Sequence, residues 1–302
     1  MEDTTMIRKI ATALLALCLA LLPLAAAMNA SAEQASANAV RVVDLAGCSD
    51  VLKVMGYNVV GTTNTRSDDY TKVPSYLQGA LGSAKVLGSA YKTDFDLDEI
   101  RALKPELILI GTQHRLLEPD LEKIAETVTV NLELRNWKMD MLKLGELLER
   151  RDAVATWLDN YAAKAHAVSL ALKKALGKET RCLALMISAG QMYAFVDAGL
   201  GGLLYNDLGM SRPTGMSDRM GINMTTISFE QLSLLEMDHL FMLGTAEDLA
   251  ELRRQGDWMR LPVVKRNRVV TLPIEPYLSM AYSCIGSDAL LNEIETMLST
   301  AS

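Results

Sequence analysis

The chain has 302 residues, half of them hydrophobic, and a formal net charge of −7 at neutral pH. The acidic balance, and the lack of any stretch that combines clustered Lys and Arg with aromatic residues, count against nucleic acid as a partner. The few cysteines and histidines lie far apart without metal-ligand spacing, which counts against a zinc carrier; we interpret the cysteines after the first segment as buried apolar side chains.

The first segment has the pattern of a leader for export. A positively charged start precedes an apolar run over residues 10–28, and Ala30-Ser31-Ala32 supplies the small residues of a cleavage site. We predict a cleaved signal peptide over residues 1–32 and an exported mature protein, periplasmic or at the cell surface. Two alternatives stay open: an uncleaved membrane anchor, since the run is near the spanning length, and a lipoprotein with Cys18 as the lipid-attachment residue.

Short apolar runs alternating with amphipathic segments follow the leader. The run from Val40 to Leu45 predicts a strand, and the polar, glycine-rich stretch from Thr62 to Lys85, which contains Tyr70 and Tyr76, predicts a long loop of the kind that is often functional. Asp96 can cap a helix that leads to the strand Leu107–Ile110. Because this strand is apolar at consecutive positions, it needs cover on both faces, as in a parallel sheet.

The stretch from Asp152 to about Lys178 predicts one long helix. Its apolar residues recur every three to four positions, Asp152 can cap its start and Gly177 can end it. At about 1.5 Å per residue, such a helix would span about 40 Å, enough to cross a small domain. We therefore predict a helical strut between two lobes of similar size.

The second half of the chain repeats the pattern of the first. Residues 97–110 match residues 229–242 at a constant spacing, each copy with an acidic residue near a helix start, a short helix, an acidic turn and a buried strand. The predicted fold class is α/β: two pseudo-symmetric α/β lobes with mostly parallel sheets, joined by one long linking helix. The predicted boundaries are 33–138 for the N-terminal lobe, 139–178 for the linker helices and 179–302 for the C-terminal lobe.

Several loose motifs occur in a specific order and spacing along both halves. They include Val42-Val43-Asp44-Leu45, Leu103-Lys104-Pro105-Glu106-Leu107, Gly202-Leu203-Leu204, Ile227-Ser228-Phe229-Glu230 and Trp258-Met259-Arg260-Leu261-Pro262. From about Val40 to Leu298 the chain resembles the helix-hinged solute-binding proteins of ABC importers, the group that carries ferric siderophores, cobalamin and haem.

The resemblance implies a ligand cleft between the lobes, modest closure on binding and delivery of the ligand to a membrane permease. It also implies an acidic residue on the outer surface of each lobe that docks against basic residues of the permease. By position these are Asp98, which departs from the usual Glu, and Glu230. The alternative is that both carboxylates only favour the first turn of a helix. The resemblance further implies a monomeric binding protein and not an enzyme.

We expect the cleft to be lined by residues that follow the carboxyl ends of the strands, where open α/β sheets place ligands. The candidates are aromatic, positively charged or imidazole side chains: His114, Arg115, Arg135, Trp137, Tyr193, Phe195, Arg212, Arg219, Tyr277 and Tyr282. Arginines can meet an anionic ferric complex with charge-assisted hydrogen bonds while aromatic rings pack on the chelator. We therefore predict a ferric siderophore as the ligand, with the chelator holding the iron and no resident metal or cofactor.

Other interpretations remain beside this one. The arginines can be solvated, and the aromatic residues can fill the core of a lobe. In haem-carrying members a protein side chain binds the iron, for which His114, Tyr193, Met216 or Met220 are available, whereas cobalamin would need a broad aromatic cleft with little charge. An enzyme is disfavoured because the dinucleotide-like Gly199–Gly202 lacks the third glycine, and phosphate-loop and nucleophile-elbow motifs are missing.

Overall fold

The computed structural model describes residues 39–66, 68–133, 135–216 and 223–300. The predicted signal peptide and two of the candidate residues, Arg219 and Met220, lie outside these ranges. Within the ranges, no helix combines the length and the apolar character that crossing a membrane requires.

The first lobe is built on a parallel sheet. Its strands are β1 (Arg41–Asp44), β2 (Asn58–Thr62), β3 (Lys85–Val86), β4 (Leu107–Gly111) and β5 (Glu126–Val130). They are ordered β3-β2-β1-β4-β5, and every neighbouring pair is parallel. Strand β4 is buried along its whole length, with Leu107 and Leu109 in one apolar cluster and Ile108 and Ile110 in another. The prediction of a strand covered on both faces is confirmed.

Short helices connect these strands. They are α1 (Ser49–Val54), α2 (Gln78–Leu81), α3 (Leu97–Ala102) and α4 (Glu118–Leu121). Helix α3 begins where predicted, because the Asp96 carboxylate accepts the backbone N–H groups of Asp98 at 2.9 Å and Glu99 at 3.2 Å. The predicted long loop from Thr62 to Lys85 is partly helical, since it contains a 3₁₀ turn and then α2.

Two helices link the lobes: α5 (Trp137–Leu147) and α6 (Arg151–Leu176), the latter with 26 residues. The long helix is confirmed, although it begins one residue before the predicted cap, so that Asp152 lies in its first turn. Gly177 ends it at a φ of 110°, a conformation that glycine adopts without steric cost.

The second lobe carries a mixed sheet. Its strands are β6 (Cys182–Ser188), β7 (Gln191–Phe195), β8 (Met224–Thr226), β9 (His239–Gly244) and β10 (Val269–Pro273). The order is β10-β9-β6-β7-β8, in which β10, β9 and β6 are parallel while β7 and β8 are antiparallel to their neighbours. The helices are α7 (Phe229–Ser233), α8 (Ala246–Arg254), α9 (Gly256–Arg260), α10 (Pro262–Lys265), α11 (Ile274–Met280) and α12 (Cys284–Thr300).

Pseudo-symmetry extends to matching hydrogen bonds in the two lobes. Glu106 accepts the backbone N–H of Arg41 at 2.9 Å, and Asp238 accepts that of Arg181 at 2.9 Å. In return the backbone N–H of each acidic residue donates to the carbonyl of its arginine at 2.8 Å. The acidic turn of the sequence repeat therefore joins the starts of two adjacent parallel strands in each lobe.

Helix α12 closes the chain by packing back toward the first lobe. It contacts α6 and α1, and at its start the carboxylate of Asp50, from α1, accepts the Ser283 hydroxyl at 2.6 Å and the Cys284 backbone N–H at 3.1 Å. The predicted C-terminal lobe, residues 179–302, includes α12, but in the structure this helix also contacts the first lobe. Among the described residues, Cys48, Cys182 and Cys284 are all buried and free.

Candidate functional site

A cavity of about 280 Å³, called the cleft cavity below, is lined by residues from both lobes. The first lobe contributes the loops that follow β1, β2, β3 and β5, and the second contributes Ser279, Tyr282 and Ser283. Because all four loops follow the carboxyl ends of parallel strands, the cavity lies at the edge of the sheet where ligands of open α/β folds bind.

Five aromatic side chains line the cleft cavity: Tyr70, Tyr76, Tyr91, Trp137 and Tyr282. Tyr70 and Tyr91 are 54% and 76% exposed, which makes their ring faces accessible from solvent. The Tyr282 hydroxyl donates to Asn223 Oδ1 at 2.5 Å, and burial raises the pKa of this phenol to about 12. These rings offer large apolar contacts with few rotatable bonds.

Trp137 is held rigidly at the start of α5. Its indole meets the rings of Trp157 and Tyr161 edge-on, with centroids 5.7 Å and 5.1 Å away, and those two rings are on α6. Asn136 caps α5 by accepting the backbone N–H of Met139 at 3.3 Å. The long helix therefore fixes one wall of the cleft cavity.

The buried side chain of Asp44 holds the loops that form one side of the cleft cavity. Its fully buried carboxylate accepts the backbone N–H groups of Ala46 and Cys48, both at 2.8 Å, and the Ser49 hydroxyl at 2.5 Å. Ser49 in turn donates its backbone N–H to Asn64 Oδ1 at 2.7 Å. Burial raises the pKa of Asp44, while these hydrogen bonds lower it. The network joins the loops after β1 and β2 into one surface.

Two carboxylates line the cleft cavity, those of Asp50 and Asp140. Asp140 is buried in the first turn of α5, where its Oδ1 accepts the backbone N–H of Glu133 at 3.1 Å. Among the described residues, no Lys or Arg lines this cavity.

A second cavity of about 150 Å³ shares Trp137 with the first and contains the positive charges. Arg135 and Lys138 line it, facing Asp197 and Asp207. Lys138 forms an ion pair with Asp207, whose other oxygen accepts the Tyr161 hydroxyl at 2.7 Å. The Arg135 Nε lies 3.6 Å from a Glu133 carboxylate oxygen.

The structure brings three of the predicted cleft residues to these two cavities: Trp137, Tyr282 and Arg135. Whether they contact a ligand stays a prediction. Arg115 is exposed on the turn after β4, while Tyr193 on β7 and Tyr277 on α11 are half-buried and line neither cavity.

Arg212 lies in the second lobe, away from both cavities. It donates to the Val196 carbonyl at 2.7 Å and lies over the Tyr205 ring, 4.3 Å from its centroid. Met216 lines a separate cavity of that lobe. Arg219 and Met220 belong to the segment outside the described residues.

Contrary to the expectation that they line the cleft, His114 and Phe195 lie in the interiors of the two lobes. Phe195 is fully buried, and His114 is 1% exposed. The His114 Nδ1 accepts the Gly111 backbone N–H at 3.1 Å, and its Nε2 lies 3.0 Å from the Lys92 carbonyl, to which it donates. Because both ring nitrogens are engaged, this imidazole has no lone pair available for iron in this conformation. Burial lowers its pKa.

The sequence analysis missed Tyr91, Asn64 and the carboxylates as wall residues. Tyr70 and Tyr76 also line the cavity, and the only sequence signal for them is their place in the predicted long loop from Thr62 to Lys85. Asp50, Asn64 and Tyr91 follow β1, β2 and β3, and Asp140 follows β5, so the rule that ligands bind at the carboxyl ends of strands applies to all of them.

Asp98 and Glu230 occupy the same position in the first turns of the equivalent helices α3 and α7. The Asp98 side chain is 88% exposed and pairs with Arg101, and Glu230 is also exposed. Their placement is symmetric, as the repeat requires, and permease docking stays a prediction. Elsewhere in the described ranges, no group of three or more His, Cys, Asp or Glu side chains is arranged to hold a metal ion.

Comparison with known proteins adds three findings. A family model described as "Periplasmic binding protein" matches residues 49–276. The iron(3+)-hydroxamate-binding protein FhuD of Bacillus subtilis is 27% identical over 263 residues, covering 84% of this chain and 80% of FhuD. The achromobactin-binding periplasmic protein of Dickeya dadantii is 24% identical over 291 residues, covering 93% of each chain.

Among solved structures, FhuD2 from Staphylococcus aureus with bound ferrioxamine B superposes with a TM-score of 0.67. It is 17% identical in sequence, and the match covers 86% of this chain and 98% of FhuD2. At this identity the likeness concerns the fold, and it agrees with two α/β lobes on a long helix.

Proposed function

This chain belongs to the periplasmic binding protein family, a family of binding proteins, and on that premise we propose that it captures a ferric siderophore in the cleft cavity for an ABC importer. The observation that carries the proposal is the cleft cavity itself. It lies between the lobes, at the carboxyl ends of the strands, and five aromatic side chains line it. The names of the Bacillus and Dickeya relatives, both siderophore-binding proteins, support the same ligand class.

In this proposal the protein supplies a shaped surface and the chelator supplies the iron ligands. Trp137 and Tyr282 form fixed walls, and the exposed rings of Tyr70 and Tyr91 cover the ligand from the first lobe. Polar groups of the cavity wall, such as the half-buried Asn64, orient the complex by hydrogen bonding. No resident metal or cofactor takes part.

Delivery to the permease completes the proposed cycle. The mature protein is released from its leader at residues 1–32, acts as a monomer outside the cytoplasm, and docks through Asp98 and Glu230. Because these carboxylates lie at equivalent positions of the two lobes, a permease with two matching basic surfaces can engage both at once. Two weak contacts made together bind far more tightly than either alone.

The test is a titration of the mature protein followed by tryptophan fluorescence. Ferric hydroxamate, catecholate and carboxylate siderophores, haem and cobalamin are added in parallel. We expect saturable quenching by at least one ferric siderophore, with an absorbance spectrum unchanged from the free complex. Binding of haem with a shifted Soret band, or of cobalamin, without binding of any siderophore would refute the proposal.

Two tryptophan variants locate the signal. Trp137 lines the cleft cavity, whereas Trp258 is buried in the core of the second lobe. Trp137→Phe should remove most of the ligand-dependent quenching and weaken binding. Trp258→Phe should keep both. Equal quenching in the Trp137→Phe variant would place the ligand elsewhere.

A further inference from the structure

We propose that Asp207, a residue of the second lobe, is a positioning residue that holds the Trp137 wall of the cleft cavity in its place. It acts through two other side chains, Lys138 and Tyr161, and does not itself line that cavity. This inference rests on the proposed function, because it assumes that Trp137 contacts the ligand. It deepens that function by naming a residue that sets the shape of the site.

Trp137 packs against a pair of rings on the long helix. The rings of Trp157 and Tyr161, one turn apart on α6, are stacked with their centroids 5.5 Å apart and an angle of 13° between their planes. The plane of the Trp137 indole makes angles of 83° and 86° with these two rings. Perpendicular aromatic pairs of this kind are favourable and depend on orientation. A shift of the Tyr161 ring would therefore change the packing of the indole.

The ammonium group of Lys138 lies over two of these rings. It is 5.3 Å from the centroid of the Trp137 ring and 5.1 Å from that of the Tyr161 ring. At such distances a cation is attracted to the electron-rich face of an aromatic ring. The ammonium group therefore stabilises the arrangement of both rings as long as it stays close to them.

Asp207 binds the two side chains that hold Trp137. One of its carboxylate oxygens forms the ion pair with Lys138, and the other accepts the Tyr161 hydroxyl at 2.7 Å. Ser287 is a second hydrogen-bond partner of that hydroxyl. The Asp207 side chain is 8% exposed and that of Lys138 is 37% exposed. Because this carboxylate is shielded from water, it attracts the ammonium group more strongly than an exposed one would; without it, the flexible lysine can extend into solvent.

The second lobe fixes the place of Asp207 in turn. Asp207 ends a π-helical turn, Gly202–Asp207, in which the Tyr205 hydroxyl donates to the Cys182 carbonyl of β6 at 3.0 Å. The carbonyl of the residue that follows Asp207 accepts the Ser169 hydroxyl of α6 at 2.5 Å. The carboxylate therefore has a defined position relative to both the sheet and the long helix, and through it the second lobe controls a wall of the cleft cavity.

The first test needs no ligand and uses protein labelled with 5-fluorotryptophan. The chain has three tryptophans, whose fluorine resonances are assigned with Trp137→Phe and Trp258→Phe. In Asp207→Asn, which removes the charge at nearly constant shape, the Trp137 resonance should shift or broaden. The resonance of Trp258, in the core of the second lobe, should stay in place as an internal control. An unmoved Trp137 resonance would overturn the proposal.

The second test measures affinity by calorimetry. A linear ferric trihydroxamate, a ferric tris-catecholate and a ferric carboxylate complex are titrated into the wild type, and the one that binds most tightly is used for the variants. Asp207→Asn should weaken its binding by at least about fivefold, as expected for coupled neighbouring residues. Unchanged affinity would contradict the proposal.

Glu146→Gln is the matched control for both tests. Glu146 also forms an ion pair between linker segments, with Arg151 at 2.7 Å where α5 ends and α6 begins, and it lines neither cavity. Its substitution should leave the Trp137 resonance and the affinity at their wild-type values. The same changes in Glu146→Gln as in Asp207→Asn would show that any ion pair of the linker has this effect.

The Trp137→Phe background distinguishes positioning of Trp137 from a general structural role. There, Asp207→Asn should lose most of its effect on affinity, because the indole that Asp207 positions is already gone. An equal fold-loss in both backgrounds would show that Asp207 does not act through Trp137. Should Asp207→Asn not fold, Tyr161→Phe takes its place in every measurement, since it keeps the ring and removes the hydroxyl that Asp207 accepts.

The two tests separate this inference from the proposed function. If none of the three ferric complexes binds to the wild type, siderophore capture is wrong, and the fluorine spectra alone decide whether Asp207 holds Trp137. If one complex binds to the wild type but Asp207→Asn changes neither the spectrum nor the affinity, siderophore capture stands and the assigned role of Asp207 is wrong.

Discussion

At the scale of one residue, His114 is a candidate iron ligand by its residue type, but in the structure its ring stabilises the first lobe. It joins the end of β4 to the loop before α3 through its hydrogen bonds with Gly111 and Lys92, and its ring meets Phe95 edge-on at 5.4 Å. Its burial disfavours the charged imidazolium, and protonation at Nδ1 would break the bond from Gly111. The histidine is therefore a neutral structural link.

The lowered pKa of His114 has a definite consequence for stability. Between that lowered pKa and the ordinary value of 6.5, the unfolded chain binds a proton that the folded protein does not. The contribution of His114 to the free energy of unfolding is thus fully present above 6.5, decreases as the pH falls below it, and levels off below the folded pKa.

We predict that His114→Gln destabilises the protein by about 1–3 kcal/mol at neutral pH, because a buried backbone group loses its partner. The variant should also lose less stability than the wild type between about pH 7 and about pH 5. Urea unfolding at several pH values measures both effects. His166→Gln is the control, since His166 is exposed on α6; a wild-type acid response in His114→Gln would contradict the assignment.

At the scale of elements, helix α12 connects the two lobes, although its position in the sequence places it in the second lobe. It follows the second lobe in sequence, yet its first turn is capped by Asp50 of the first lobe. Tyr282 directly precedes this cap and lines the cleft cavity. The same carboxylate thus anchors a helix and positions an aromatic wall residue.

Asp50→Ala should cost about 1–3 kcal/mol of stability, because Ser283 and Cys284 are left with buried, unpaired donors. It should also weaken ligand binding through displacement of Tyr282. The matched control is Asp288→Ala on the same helix, which removes a partly exposed pair with Lys164 at 2.7 Å and should cost less than about 1 kcal/mol. Urea unfolding and ligand titration of both variants measure the difference; equal losses of stability would show that Asp50 is not an anchor.

At the scale of the whole molecule, the two lobes present equivalent acidic positions on α3 and α7. Charge reversal by Asp98→Lys with Glu230→Lys should abolish siderophore uptake in cells while leaving affinity for the ligand unchanged, since both side chains are exposed and line neither cavity. A strain in which only this protein supplies the importer provides the measurement.

The matched control for this double variant is Glu251→Lys with Asp257→Lys. These residues are exposed carboxylates of the second lobe, each paired with an arginine three positions later, as Asp98 is. Uptake should remain normal in the control. Normal uptake in the Asp98 and Glu230 variant would show that docking depends on other residues.

The sequence by itself determined the elements and their arrangement into two lobes. The α6 stripe, the Asp96 cap, the apolar β4 strand and the repeated helix-to-strand unit are all local patterns, formed by residues a few positions apart that respond to the periods of helix and strand. Such patterns can be recognised in the sequence without knowing which distant residues come into contact. They were enough to predict the long linking helix and the parallel strands.

Only the tertiary structure decided which side chains form the site. The cleft cavity joins loops after four strands to Tyr282 and Ser283, and its anchor pairs Asp50 with Ser283, residues 233 positions apart. The directions of loop side chains depend on those distant contacts, and sequence periodicity carries no information about them. Trp137 and Tyr282 line the cleft cavity, where their contact with a ligand stays a prediction, whereas His114 and Phe195 lie in the interiors of the lobes.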